Sequence, residues 1–168
     1  MASTPEPSAW RIDRERRAAQ SFSGAGAALE GGRWNSAGVR TVYASEHLAM
    51  AAQEKYVHMP KPLPRGSRFV KFAIRFGRVP AKALGAADLP PDWRAEPAPP
   101  STQAVGDAWI ASGETAILAV PSVLMPEERN FILNPAHRDF RRLAIGKPEP
   151  FAFDPRMERL EDPKRGLR

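Results

Sequence analysis

The chain has 168 residues, with 25 Lys and Arg against 19 Asp and Glu, a formal net charge of +6. That length suits one domain and leaves little room for a second. Leu, Ile, Val and Phe make up only about 20 % of the residues, near the edge of disorder, but four Trp, eight Phe and many Ala can pack a modest core. Cysteine is absent, which removes disulfides, thiolate nucleophiles and thiolate metal sites and fits a reducing cytoplasm. His47, His58 and His137 match no zinc spacing, so no metal site is expected. There is no apolar run of transmembrane length and no secretory signal at the N-terminus, so no membrane association is expected.

In chain order, residues 1–9 are rich in Pro, Ser and Ala and read as disordered. Residues 21–32 hold four Gly and read as a loop opening into Arg33, Trp34 and Asn35. Thr41 to Ser45 alternates as a short strand, with Val42 and Ala44 on one face and Thr41 and Tyr43 on the other. Ser45 is placed to cap a helix over Glu46–Val57, which lacks Gly and Pro. The apolar residues of that helix fall nearly all round it, predicting a mostly buried element in which Glu54 is an unusual occupant.

Three prolines make 59–64 a loop. Arg68–Val79 is the clearest strand, with Val70, Phe72, Ile74 and Phe76 pointing one way. Residues 90–100 contain five Pro and read as a linker or surface loop. Val105–Ala111 reads as one or two helical turns around Trp109. Ala116–Val120 is a strand of fully buried type ended by Pro121, and Phe131–Leu133 is another, closed by Asn134 and Pro135. The last 22 residues read as surface-bound. The sum is a mixed α/β domain with short strands, long loops and no internal repeat.

Between Lys55 and Ala87 lie eight Lys or Arg and no acid. Such a block serves nucleic acid, a phosphate-bearing ligand or an acidic protein, or it is a solvated sheet face balanced by acids elsewhere. No DNA- or RNA-binding motif accompanies it, so direct nucleic acid binding is not expected.

The segments GGRWNSAG (31–38), TVYASEHLAMAAQE (41–54) and PSVLMPEERNFILNP (121–135) together resemble the RES domain, the toxin half of bacterial toxin–antitoxin pairs. The resemblance runs from Trp10 to Pro155, with residues 156–168 as a C-terminal tail. It implies an ADP-ribosyltransferase-like fold, a split β-sheet core flanked by helices in a single domain. It implies a cytoplasmic enzyme that consumes NAD⁺ as substrate rather than as a recycled cofactor, by phosphorolysis with inorganic phosphate as co-substrate or by hydrolysis. The runner-up is transfer of ADP-ribose to a protein, and a non-catalytic binding module is the alternative of another class. The implied partner is an Xre-type antitoxin with a DNA-binding domain, and a homodimer within the larger complex.

Carried over residue by residue, the resemblance implies Arg33, Tyr43 and Glu54 as catalytic, with Arg33, Tyr43, Ser122 and Asn134 holding NAD⁺. The chemistry suits these residue types. Breaking the nicotinamide–ribose bond builds positive charge on the ribose, which a carboxylate such as Glu54 stabilises. Arg33 after two Gly suits a pyrophosphate or an attacking phosphate, or else closes the loop over Trp34. Tyr43 suits nicotinamide or ribose. Ser122 suits ligand hydrogen bonding or a turn, since no G-x-S-x-G surrounds it. Glu54 is preferred to Glu46 for its apolar neighbours in sequence, and no G-x-G-x-x-G marks a Rossmann site.

Overall fold

The computed structural model describes residues 8–159. Its elements are β1 (Ala9–Arg14), α1 (Ala25–Glu30), β2 (Val42–Ser45), α2 (Leu48–Val57), β3 (Phe69–Arg75), β4 (Ala81–Ala83), α3 (Pro100–Ser112), β5 (Ile117–Pro121), β6 (Arg129–Leu133), β7 (Ala144–Ile145), β8 (Glu149–Phe151) and α4 (Pro155–Arg159). The strands form one mixed sheet in the order β4-β5-β6-β2-β1-β3-β7, with β8 also on β3. β4 and β5 are parallel, and every other pair is antiparallel. This is the mixed α/β single domain, a sheet flanked by helices, that the sequence leads one to expect.

The sheet splits in the middle. β1 and β2 share one register pair, Trp10 with Ser45. Beyond it the strands part, and the Arg11 guanidinium donates to the Tyr43 carbonyl at 2.8 Å, supplying a donor that a paired strand would otherwise give. Asp13 is buried beside Arg11 at 3.1 Å, accepts from Ser21 Oγ at 2.6 Å, and faces Lys55 of α2 at 3.3 Å. A line of charge therefore occupies the split and ties α2 to β1.

Alternation distributes the core over two faces. Ala9, Val42, Ala44, Ile74, Ala119, Phe131 and Leu133 pack on one side. On the other, Ile12 and Phe69 meet Ala51 and Tyr56 of α2, while Leu118, Val120 and Ile132 meet Trp34 and Trp109 of α3. β5 is buried on both faces, as its unbroken apolar run predicts.

Several sequence expectations need correction. Residues 25–30 of the glycine-rich stretch form α1, entered from Gly24 at φ 72° and left at Gly31 at φ 75°; the glycines cap this helix and do not exclude it. Ser45 does not cap α2. The helix starts two residues later, from His47, because Ser45 is spent as the last residue of β2. α2 is less enclosed than its composition suggests, with Val57 about half exposed. α3 begins at Pro100, five residues before the expected start, since Pro fits the first turn of a helix. β3 ends at Arg75, four residues early, where Gly77 turns the chain. Ala9 is fully buried and pairs with Ile74 rather than belonging to a loose terminus. Phe151, Phe153 and Met157 pack against the α2 cluster, so this part of the C-terminal segment is not merely surface-bound. The expectations for residues 1–7 and 160–168 lie outside the described residues.

Candidate functional site

The side chains of β2 and β6 that face α2 and α3 turn polar at one end of the strands. Tyr43 and Ser45 alternate onto this face, as do Ile132 and Asn130. Ser45 and Asn130 are register partners, and Ser45 Oγ donates to Asn130 Oδ1 at 2.7 Å. Asn130 Nδ2 in turn donates to Glu54 Oε1 at 2.6 Å, and Ser122 Oγ donates to the same oxygen at 2.8 Å. Ser122 is fully buried at the end of β5, and its hydroxyl also accepts from the backbone N–H groups of Leu124 and Met125 at 3.1 and 3.3 Å. That turn fixes the hydroxyl rotor toward Glu54.

The result is asymmetric. Glu54 Oε1 is held by two donors, while Oε2 lies 3.8 Å from Nε2 of the exposed His58 one helical turn on. The Glu54 side chain is 23 % exposed. Its hydrogen-bond partners are polar, which its sequence neighbours do not disclose, while Met50, one turn back on the same helical face, brings its Sδ to 3.6 Å from the same Ser122 hydroxyl, so the setting is part polar and part apolar. Glu46 has a different employment: it precedes α2 and pairs with Arg129 through both oxygens.

Tyr43 stands on the same face, over the GGRWN loop. Its hydroxyl donates to Asn35 Oδ1 at 2.7 Å and accepts from the Trp34 N–H at 3.0 Å. Burial pushes its pKa up to about 12, so the hydroxyl stays protonated and acts as a donor at neutral pH. Asn35 is fully buried and its Nδ2 reaches the carbonyls of Ala27, Ser36 and Val39 at 2.9, 3.1 and 3.0 Å. A Cβ on Gly32 would sit 2.7 Å from the Tyr43 hydroxyl, so the second glycine of the motif is required for this close approach. Trp34 is core, and Arg33 points away from it toward residues 93–96. It does not lie over Trp34; its Nη1 donates to the carbonyls of Trp93 and Ala95 at 2.9 and 2.8 Å, and its Nη2 meets Glu96 at 3.0 Å.

The structure therefore joins Glu54 and Ser122 directly, puts Tyr43 on the same sheet face, and places Arg33 on the neighbouring loop. Asn134 lies apart, at the opposite end of β6 from Asn130, where its Oδ1 accepts from the Ala136 N–H at 3.0 Å in a local turn. Sequence reading missed Asn130 and gave Ser45 another role. The signal available was a pair of polar residues at strand ends, but only the β2–β6 register makes them neighbours.

His47, Glu46 and Glu128 converge as well, with candidate ligand atoms within 4.8 Å of one another. Their charges are already answered internally: Arg129 holds Glu46, and His47 is hydrogen-bonded to Glu128, which raises the imidazole pKa.

These elements define a class: a mixed α/β domain whose split sheet presents one oriented carboxylate beside an arginine-bearing, glycine-enabled loop. The RES domain model matches residues 8–154, and the chain belongs to the RES domain family. It is 40 % identical over 159 residues to the "Prs ADP-ribosylating toxin" of Sphingobium sp. (strain YBL2), covering 89 % of this chain and 96 % of that protein. It is 37 % identical over 150 residues to "Toxin Res" of Yersinia enterocolitica, covering 89 % and 98 %. Among solved structures, a chain of the M. tuberculosis MbcT–MbcA toxin–antitoxin complex matches with a TM-score of 0.71 over 92 % of this chain and 87 % of that one. At 16 % identity that likeness concerns the fold.

Proposed function

We propose that this chain is the toxin of a toxin–antitoxin pair and that it cleaves the nicotinamide–ribose bond of NAD⁺. The observation that carries the reading is the grip of Ser122 and Asn130 on Glu54 Oε1, which leaves Oε2 to meet a ligand. As the C–N bond breaks, nicotinamide departs neutral with the bonding electrons and the ribose carbon becomes cationic. A carboxylate oriented in advance stabilises that cation without reorganising. Ser122 and Asn130 neutralise part of the charge on Oε1 and fix the plane of the group, so they position Glu54 rather than attack. Tyr43 and Arg33 line the approach, the first with its ring, since its hydroxyl is bonded to Asn35 and Trp34, and the second with a guanidinium suited to phosphate.

The nucleophile completes the reaction. An oxygen of inorganic phosphate bonding to the ribose carbon gives ADP-ribose 1″-phosphate, and water gives ADP-ribose. Phosphorolysis is the preferred outcome. Transfer to a protein side chain is the second reading, favoured by the name of the Sphingobium relative. The partner would be an antitoxin of Xre type and the assembly a homodimer within the complex.

Product analysis tests this. Purified protein is incubated with NAD⁺ with and without phosphate, and the products are resolved by chromatography and mass. Nicotinamide with a phosphorylated ADP-ribose that requires phosphate is expected. ADP-ribose alone would mean hydrolysis, and label retained on protein would favour the second reading. No nicotinamide under any condition would overturn the proposal.

A further inference from the structure

The proline-rich stretch from Pro90 to Pro99 is held across the candidate site as a strap. It contains a short helical turn, in which the Trp93 N–H donates to the Pro90 carbonyl at 3.0 Å and the Ala95 N–H to the Asp92 carbonyl at 2.8 Å. Such a turn ends in carbonyls with no partner of its own. Arg33 takes two of them, those of Trp93 and Ala95, and adds the pair with Glu96. On the other side Arg94 Nη2 donates to the Val123 carbonyl at 3.3 Å. Val123 follows Ser122, whose hydroxyl holds Glu54. The strap thus joins the GGRWN loop to the turn that orients the carboxylate.

Its two cationic contacts are unequal. Arg33 is nearly enclosed, at 15 % side-chain exposure, and two of its hydrogens are committed to carbonyls. Arg94 is exposed, its guanidinium lies 5.8 Å from the Trp93 ring centre, and it has no carboxylate partner among the described residues. Glu96, the acid on Arg33, is 79 % exposed. A solvated carboxylate in such a pair is weakly held, and a pyrophosphate brings two charges and several acceptor oxygens to the same donors.

We propose that Arg94 is a substrate-binding residue that meets the pyrophosphate of the dinucleotide together with Arg33, the ligand displacing Glu96. The inference rests on the NAD⁺ reading above. Arg94 would act on binding and leave the bond-breaking step to Glu54.

Steady-state nicotinamide release from NAD⁺, and from nicotinamide mononucleotide, which lacks the pyrophosphate, is compared in wild type, Arg94→Gln, Arg94→Lys and Glu96→Gln, with melting temperatures as a check on folding. Arg94→Gln is expected to raise KM for NAD⁺ about tenfold, the effect of one charge-assisted contact. Its kcat should stay within about twofold and its KM for the mononucleotide should change less. Arg94→Lys should recover part of the loss, and Glu96→Gln should lower KM for NAD⁺. Unchanged KM in Arg94→Gln, or equal changes for both substrates, overturns the inference while leaving the cleavage activity standing. If the wild type releases no nicotinamide, calorimetry with ADP-ribose decides: weaker binding by Arg94→Gln supports the contact. Equal affinity, or no binding by any protein, removes it.

Discussion

Glu54 owes its orientation to two neutral donors on one oxygen, and each removal has a separable consequence. Glu54→Gln keeps the shape but loses the charge that answers the ribose cation; nicotinamide release should fall by about 10²-fold or more, with melting temperature nearly unchanged. Asn130→Ala should cost about 10- to 100-fold in kcat, the range for a hydrogen bond to a charged group. If Asn130→Ala retains full activity while folded, Ser122 alone orients the carboxylate. Tyr43→Phe tests a different kind of dependence. It strips a partner from both the Trp34 N–H and Asn35 Oδ1, two groups in the interior of the loop. A loss of about 1–3 kcal/mol of stability is expected, measured by denaturant titration, in addition to any effect on turnover.

At the scale of elements, the site depends on how closely α3 lies against the GGRWN loop. A Cβ on Gly106 would stand 1.8 Å from the Trp34 carbonyl oxygen, and the obstacle is backbone, so α3 must move away to admit it. Gly106→Ala should therefore destabilise by about 3 kcal/mol or more. For a domain of this size that is a fall of roughly 6–12 °C in melting temperature, read by calorimetry. A helix-propensity argument predicts the reverse sign, since Ala favours helix over Gly; the contact decides. Sequence periodicity located α2, β2, β3, β5 and β6 because each shows its apolar pattern locally. It did not anticipate β1, whose charged residues Arg11 and Asp13 occupy the split, or α1, whose Ala and Gly carry no apolar stripe. Asn130 and Ser45 were equally hidden, because a polar residue at a strand end declares nothing until its partner strand is known.

For the whole molecule the buried charges of the split set a pH limit. Burial pushes the Asp13 carboxyl up, but Arg11, Lys55 and hydrogen bonds from Ser21 and the Arg14 N–H outweigh it and hold the pKa below the ordinary 3.8. The unfolded chain then binds the proton more readily than the folded one. Stability from Asp13 is full above the unfolded value and is lost as pH falls through the folded value. Melting temperature should drop as pH is lowered below about 4, more steeply in wild type than in Asp13→Asn. At neutral pH Asp13→Asn should itself cost about 3–5 kcal/mol, since Arg11 and Lys55 lose their counter-charge. A wild-type acid profile no steeper than that of the variant would show that Asp13 does not govern the transition.

The basic block reads differently once folded. Lys55, Arg68, Lys71 and Lys82 find Asp13, Glu15, Glu149 and Glu114, acids from other segments of the chain. The charge asymmetry is thus partly balanced across strands, a balance no linear count displays. By itself the sequence determined the mixed α/β class, the main strands, α2 and the family, because apolar alternation and the GGRWN and PSVLMPEERNFILNP segments are contiguous. It also named Glu54 and Ser122. Only the tertiary structure decided that these two touch, that Asn130 joins them while Asn134 does not, and that Arg33 fastens a strap to the site's edge. The physical reason is that strand register, and the burial it produces, sets contacts between residues 68 to 76 positions apart.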